Sequence, residues 1–251
     1  KTAYEIMPSL VGSEMCIRDS YGTQPEHFGE VALSCRVYAN RNPRAVMYGQ
    51  PLTMNEYLSS RMISDPLRLY DCCLESDGAA ALLVTTWERA QDLRARPVDI
   101  LAAQQGSGYL WGTGLLGGRN MPSSTYASAN AAELAGDLYS QAGVLPKDID
   151  VVQFYDAFTG MVLFALEDFG FCGIGESGDY VAEGNLRFDG ASPCNTSGGI
   201  LSEAYIHGLN LVLEGVRQVR GESSAQINDA RLVLISGGES VTPTSGLILG
   251  G

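Results

Sequence analysis

The chain has 251 residues, of which 45% are apolar and 18% are charged, so it is long enough for one large or two modest domains with a packed core. It carries 16 Lys and Arg residues against 29 Asp and Glu residues, and its formal net charge is -13. Such a surface repels polyphosphate, and no apolar stretch approaches the roughly 20 residues that a membrane helix needs. We therefore expect neither nucleic-acid binding nor membrane insertion.

The cysteine and histidine content limits redox and metal chemistry. None of the six cysteines forms a C-x-x-C motif, and a chain of this size does not depend on disulfide bonds. We therefore expect a reducing, cytoplasmic compartment. Because only two histidines are present, a zinc cage is hard to build. The sequence thus predicts no metal site in this chain.

The first 20 residues differ from the rest of the chain. They lack an initiating Met, the apolar core of a signal peptide and any helix or strand period. The run SLVGSEMCIRDS over residues 9–20 resembles a translated sequencing adapter. We interpret residues 1–20 as a non-native segment, with an ordinary flexible N-terminal extension as the alternative.

Two helices are predicted at the start of the remaining chain. Apolar residues recur at helical spacing over residues 26–40, which we interpret as a surface or lid helix that ends before Pro43. Residues 54–64 predict a shorter helix, capped by Asn55 and ended by Pro66.

A strand, a helix and a second strand are predicted next, over residues 79–86, 88–95 and 98–103. The first is a run of small apolar residues, which is typical of a buried strand. This order indicates an α/β layered fold. The glycine-rich residues 106–118 then predict a domain junction, and we place the boundary near residue 120.

A second α/β unit is predicted downstream of this boundary. Gly143 and Gly170 mark the ends of two of its helices. Its predicted helices cover residues 128–142, 159–169 and 202–220, and its predicted strands cover residues 150–154, 231–235 and 247–249.

Three loops at strand or helix ends gather small and polar residues. They are FYDAF at residues 154–158, NTSGG at residues 195–199 and SGGE at residues 236–239. Loops at strand ends carry the active sites of many α/β folds, and glycines there let a backbone N–H approach a ligand oxygen. The three loops together predict an active site.

With SEAYIHG at residues 202–208, these loops resemble the C-terminal half of the thiolase superfamily. Ala157 and Phe158 match its Asn-Glu-Ala-Phe type loop, and residues 195–199 match its Asn-x-x-Gly-Gly turn. Residues 21–251 look most like the lipid-transfer-protein branch, and within it like the thiolase-like aldolases that cleave steroid side chains. The resemblance implies an incomplete, thiolase-like layered α/β fold. Residues 21–119 would be a remnant of the N-terminal half with its lid and loop region, and residues 120–251 the C-terminal domain.

The departures from the thiolase pattern concern the catalytic groups. The alignment places Tyr205 where a thiolase keeps its catalytic His, and His207 follows two residues later. Tyr155 replaces the Asn or His of the first loop, and the glycine-rich loop around Gly237 and Gly238 has no Cys. The resemblance also assigns the nucleophilic Cys to the N-terminal half. With the catalytic His and the loop Cys replaced as well, this sequence has no visible acid–base pair for Claisen chemistry.

Two phenols can still perform proton chemistry, because a Tyr hydroxyl is both a donor and an acceptor. We predict Tyr155 and Tyr205 as the catalytic pair of a retro-aldol reaction, with the choice of base and acid left open. The substrate or its enolate oxygen would meet His207, Asn195 and the backbone of four glycines, Gly198, Gly199, Gly237 and Gly238.

Nearby residues have simpler interpretations. We expect Asp156 to cap the helix that begins near Thr159. Cys194 has no basic partner in its vicinity in the sequence, so we expect a small buried thiol, and we interpret Cys72 and Cys73 as core fillers.

The resemblance implies a carbon–carbon lyase that cleaves a β-hydroxyacyl-CoA, in particular a steroid side-chain CoA thioester, to a ketone and a short acyl-CoA. Coenzyme A would enter as part of the substrate, with no other cofactor. It also implies a homodimer and an OB-fold, zinc-ribbon companion protein that holds the zinc. We expect the isolated chain to be inactive and poorly soluble. The alternatives are an acetyl-CoA acyltransferase, that is a thiolase, and a non-catalytic carrier of lipids or acyl-CoA.

Overall fold

Helices and strands are interspersed along the chain. The structure is a computed structural model that describes residues 18–93, 96–106, 131–238 and 244–251. The α-helices that lie wholly within these ranges are α1 (Pro25–Ala39), α2 (Met54–Ser59), α3 (Trp87–Gln91), α4 (Ala132–Ala142), α5 (Thr159–Asp168), α6 (Ser177–Ala182), α7 (Gly199–Ser202) and α8 (Leu209–Arg220). The strands are β1 (Met62–Ser64), β2 (Leu67–Arg68), β3 (Asp99–Gly106), β4 (Val151–Gln153), β5 (Leu232–Gly237) and β6 (Thr244–Gly250).

A four-stranded mixed sheet, in the order β3, β6, β5, β4, forms the centre of the molecule. β4 and β5 are parallel, whereas β6 is antiparallel to both β5 and β3. Side chains alternate between the two faces of β5. Leu234 belongs to the apolar cluster that contains Leu138 of α4, and Val233 belongs to the cluster that contains Leu211 of α8. Because α4 and α8 cover opposite faces, the sheet is the middle layer of an α/β sandwich.

The elements predicted after residue 120 agree with the structure, except for the helix predicted over residues 202–220. The left-handed backbone of Gly143, with φ of 69°, ends α4, and that of Gly170, with φ of 76°, follows α5. β4, β5 and β6 lie within two or three residues of the predicted strands. The predicted helix start at residues 128–130 and the junction near residue 120 lie outside the described residues. β3 precedes that junction and yet pairs with β6.

Helix α1 corrects the prediction of a surface or lid helix. Most of its residues are buried, including Phe28, Val31 and Cys35, and it packs against α5, α6 and α7. It begins at Pro25, where the fixed φ of proline suits the first helical position. The ring Nδ1 of His27 accepts the backbone N–H of Gln24 at 3.2 Å and completes the cap.

The short helix α2 differs from its prediction at both ends. Thr53, not Asn55, is the N-cap, and its hydroxyl accepts the N–H of Glu56 at 3.3 Å. The helix ends at Ser59, after which β1 and β2 form a small antiparallel hairpin.

The predicted buried strand at residues 79–86 is wrong. These residues belong to no strand, and Leu83 and Val84 are 81% and 73% exposed. The α3 helix that follows has no buried residue. We call residues 79–86 the exposed apolar segment. Across the described residues, no helix is both long and apolar enough to cross a membrane.

Candidate active site

Three chain segments run in parallel towards one edge of the sheet. They are β4, β5 and residues 193–195, which are bridged to β4 through Val152 and Cys194. Because the carboxyl ends of parallel strands meet at the same edge, the loops that follow these segments lie together. The backbone N–H of Tyr155 donates to the hydroxyl of Ser236 at 3.4 Å and joins two of these loops directly.

The structure brings the two predicted tyrosines and His207 into a row. The hydroxyl oxygens of Tyr155 and Tyr205 are 2.8 Å apart, and their rings meet edge to face with centroids 6.4 Å apart. On the other side of Tyr205, the His207 Nδ1 atom is 3.4 Å from the same hydroxyl. Both tyrosines are half-buried and the His207 side chain is exposed. The geometry permits proton exchange between the phenols, while their catalytic role remains a prediction.

Tyr205 and His207 lie in a loop, because the helix predicted over residues 202–220 is interrupted. α7 ends at Ser202 and α8 begins only at Leu209. His207 and Gly208 have left-handed backbones, with φ of 48° and 78°. A Cβ atom at Gly208 would lie 3.0 Å from the ring of Tyr155, so glycine permits the close approach of this loop to the first tyrosine.

Residues 72–78 form a fourth part of the site, which the sequence analysis missed. Cys73 N–H donates to the carbonyl of Ala157 at 3.0 Å. The backbone N–H of Tyr205 donates to the hydroxyl of Ser76 at 3.3 Å. The segment therefore links both tyrosine loops. The small polar residues at positions 76–78, just before the exposed apolar segment, are the feature of the sequence that could have indicated this part of the site.

The nearby thiols are not poised as nucleophiles. Cys73 packs against Ala157 and Met161, as Tyr155 does. Burial raises the pKa of its thiol to about 11, with the charge of Asp156 acting in the same direction. Burial raises the pKa of the Cys194 thiol even further, as expected for a small buried thiol.

Asp156 holds a different helix from the one predicted. Its carboxylate accepts the backbone N–H groups of Ile200 at 2.8 Å and Leu201 at 3.2 Å, which belong to α7 rather than to the helix that begins at Thr159. The side chain is fully buried, and burial raises its pKa to about 6 although these hydrogen bonds act in the opposite direction. Asp156 thus fixes α7 beside the loop that carries Tyr155.

The turn at residues 195–199 is built for close packing. Asn195 is buried, and its side-chain amide accepts the N–H of Phe154 at 2.8 Å and donates to the Phe154 carbonyl at 3.0 Å. Gly198 and Gly199 have left-handed backbones, and a Cβ atom at Gly199 would lie 2.1 Å from the Asp156 carboxylate. Asn195 therefore secures the turn through Phe154, and its contact with substrate stays a prediction, as do those of Gly198 and Gly199.

Two buried carboxylates hold this turn against α8. The Thr196 hydroxyl donates to Glu214 at 2.9 Å, and the Ser197 hydroxyl donates to Glu203 at 2.6 Å. Arg217 lies 3.8 Å from Glu203 and 3.7 Å from Glu214. Burial raises the pKa of Glu214. This polar network gives the turn a fixed place relative to α8.

The glycines of the last loop lie at the end of β5. The Gly237 carbonyl accepts the Ser245 hydroxyl at 3.2 Å, and Gly238 has a left-handed backbone with φ of 79°. Residues 239–243 are outside the described ranges, so the predicted roles of Gly237 and Gly238 at a substrate oxygen stay predictions.

In the part of the chain that the structure describes, no three His, Cys, Asp or Glu side chains are grouped so that they could hold a metal ion. The five described cysteines are free thiols.

The fold and the site together define a class of protein. Residues 118–250, just over half of the chain, match the family described as thiolase C-terminal domain-like, and the chain belongs to that family. The crystal structure of human mitochondrial 3-ketoacyl-CoA thiolase superposes with a TM-score of 0.66 at 13% sequence identity, covering 95% of this chain and 58% of that one. That likeness shows the thiolase-like fold.

More similar proteins lie within one branch of this family. A steroid side-chain-cleaving aldolase of Thermomonospora curvata is 46% identical over 92% of this chain and 58% of its own length. A 17-hydroxy-3-oxo-4-pregnene-20-carboxyl-CoA lyase of Mycobacterium tuberculosis is 43% identical over 91% of this chain and 58% of its own. A solved structure described as an Ltp2-ChsH2(DUF35) aldolase superposes with a TM-score of 0.92 at 42% identity, over 98% of this chain and 63% of that one. The chain thus spans less than two thirds of these relatives.

Proposed function

We propose that this chain carries the acid–base site of a thiolase-fold retro-aldolase. The reaction is the cleavage of a β-hydroxyacyl-CoA, with a steroid side-chain CoA thioester as substrate. The observation that carries the proposal is the pair of phenol oxygens 2.8 Å apart, Tyr155 and Tyr205, at the carboxyl edge of the sheet. The named activities of the relatives that are 46% and 43% identical support the reaction and the substrate class.

The chemistry moves one proton from oxygen to carbon. One tyrosine takes the proton of the β-hydroxyl group as it passes its own proton to the other tyrosine, and the bond between the α and β carbons breaks to give a ketone. Its electron pair passes into a thioester enolate, which the other tyrosine protonates at the α carbon to give the short acyl-CoA. Such acid–base help is worth about 10² to 10⁴ in rate. Coenzyme A takes part only as a portion of the substrate.

The enolate oxygen needs hydrogen-bond donors. The candidates are the side chain of His207, whose Nδ1 atom is 3.4 Å from the Tyr205 hydroxyl, and the backbone N–H groups of Gly199, Gly237 and Gly238. The N–H of Gly198, the other glycine predicted for this role, already donates to the Asn195 carbonyl at 2.8 Å. One such donor is worth about 10² to 10³ in rate.

We also propose partners and a compartment for the whole enzyme. The description of the 42% identical structure names two components, which supports a partner protein, and we assign to it an OB fold and a zinc ribbon that holds the zinc. A homodimer through the thiolase fold is part of the same proposal. The free thiols of the described cysteines support a reducing, cytoplasmic compartment.

The decisive assay follows ketone and acyl-CoA release from a 17-hydroxylated steroid side-chain CoA thioester. It compares three preparations. The first is this chain alone, the second is this chain fused to the part of its relatives that it does not match, and the third is that fusion together with the companion protein. We expect the chain alone to be inactive and the last combination to be active.

In the active preparation, Tyr155→Phe and Tyr205→Phe should each lower kcat by about 10² to 10⁴ while KM changes little, because the ring that packs in the site is kept. Tyr48→Phe, at an exposed residue, is the matched control. Acyl transfer to added CoA would instead indicate a thiolase, and thioester binding without any product would indicate a carrier.

A further inference from the structure

The tyrosine pair alone has no vacant place for the substrate proton. Two neutral phenols already carry one proton each, so a third proton can enter only if one is passed on. The pair can pass that proton on to the α carbon in one concerted step, whereas an acceptor beyond the pair lets the carbon–carbon bond break before the α carbon is protonated. This inference rests on the retro-aldol function proposed above.

His207 provides that acceptor by its position. Tyr205 is the middle member of the row, 2.8 Å from the Tyr155 hydroxyl and 3.4 Å from the His207 Nδ1 atom. A neutral imidazole has one ring nitrogen without a proton, and hydrogen bonds of catalytic groups often shorten when substrate binds. The His207 ring is exposed, so it also exchanges protons with water.

The backbone at this position favours a small or polar side chain. His207 has φ of 48°, a left-handed conformation that Gly, Asn and Asp adopt more readily than other residues. The chain nevertheless has an imidazole here, and the tilted Tyr205 and His207 rings pack with centroids 4.9 Å apart. Replacement by Gly or Asn is therefore compatible with the loop.

We propose that His207 is the terminal proton acceptor of a relay that runs from Tyr155 through Tyr205. It stores the proton of the substrate hydroxyl at Nδ1 while the carbon–carbon bond breaks, and returns it through Tyr205 for delivery to the α carbon. The electron pair of the broken bond ends in the new C–H bond, so the relay needs no oxidant or co-reactant. This role requires Nδ1 to accept a proton, whereas holding the enolate oxygen would require a ring N–H that donates.

The first test uses this chain without substrate. Since it has two histidines, His27→Gln leaves His207 as the sole imidazole, and Gln can replace His27 in the cap of α1. We expect nitrogen NMR to show Nδ1 without a proton, and its signal to shift in Tyr205→Phe but not in the exposed control Tyr48→Phe. A neutral ring protonated at Nδ1, or a signal indifferent to Tyr205, would overturn the relay.

The second test is kinetic and uses the active preparation. His207→Gly and His207→Asn should each lower kcat by about 10²-fold or more, because neither side chain can take up a proton. Added imidazole should restore kcat of His207→Gly by about tenfold or more, and it should have no effect when Tyr205→Phe is also present.

The two variants separate the relay from the other roles. An Asn amide can still donate a hydrogen bond, so near wild-type turnover of His207→Asn would assign His207 to the enolate oxygen and overturn the relay. A loss in His207→Gly that imidazole does not restore would do the same. If the unsubstituted enzyme cleaves no steroid thioester, the proposed function fails, and the NMR experiment still decides whether Nδ1 faces Tyr205 as an acceptor.

Discussion

A fully buried carboxylate makes stability depend on pH, and Asp156 is such a group. Burial raises its pKa from 3.8 to about 6. Between these pH values the folded state binds more protons than the unfolded chain, so the stability that Asp156 contributes is present at low pH and is lost as the pH rises towards 6.

Asp156→Asn should remove this dependence, because the amide does not titrate. From about pH 4 to about pH 6.5, the unfolding free energy of the wild type should fall relative to the variant by about 2 kcal/mol. Urea unfolding across this pH range measures the difference. Asp137→Asn, at an exposed position on α4, should follow the wild type. Parallel curves for the wild type and Asp156→Asn would contradict the assignment.

Some residues of the site could be predicted from the sequence and others could not. Tyr155 and Tyr205 stood out because they replace polar residues in recognisable loops. Ser76 did not, because it lies 129 residues before Tyr205 and only the fold brings its hydroxyl to the Tyr205 N–H. Asp156 was recognised as a capping residue, yet the capped helix could not be identified, since α7 is a single turn without a periodic pattern.

At the scale of elements, the turn before α7 requires glycine. Gly199→Ala introduces a Cβ atom 2.1 Å from the Asp156 carboxylate and leaves an alanine with φ of 62°. We expect the unfolding free energy to fall by about 2 to 4 kcal/mol, from backbone strain and overpacking together. Denaturant titration of the variant and the wild type measures it.

Gly136→Ala is the matched control, because its added Cβ atom meets nothing within 4 Å inside α4. We expect a gain of about 0.5 to 1 kcal/mol, since alanine loses less conformational freedom in a helix. Equal effects of the two substitutions would show that the turn accommodates a side chain.

Long periodic elements and those ended by glycine were predictable, whereas two others were not. α1 follows from the spacing of its apolar residues, α5 from the glycine after it, and β5 from its short apolar run. The exposed apolar segment has the composition of a buried strand, but composition cannot say whether a neighbouring strand is present to pair with it. The break before α8 depends on the left-handed backbones of His207 and Gly208, which the apolar period does not reveal.

At the scale of the whole molecule, the exposed apolar segment favours self-association. Contiguous exposed apolar side chains are a surface for aggregation or for binding. The double variant Leu83→Lys and Val84→Lys should therefore increase the monomer fraction in analytical ultracentrifugation. Because both side chains are mostly exposed, the unfolding free energy should change by no more than about 0.5 kcal/mol.

The two Lys substitutions both remove apolar surface and add positive charge, and either change could increase the monomer fraction. A control variant separates the two effects. Leu145→Lys with Ile174→Lys changes two exposed apolar residues outside the segment and adds the same charge. We expect this control to associate like the wild type. An equal increase in monomer in both double variants would point to net charge as the cause.

The hydrogen bond from the Tyr205 backbone to Ser76 has a consequence beyond the site. Ser76 lies only three residues before Ala79, where the exposed apolar segment begins, so one short stretch of backbone carries both that surface and the hydroxyl that accepts the Tyr205 N–H. A polypeptide that binds Leu83 and Val84 would therefore contact the chain within eight residues of the serine that holds the Tyr205 loop.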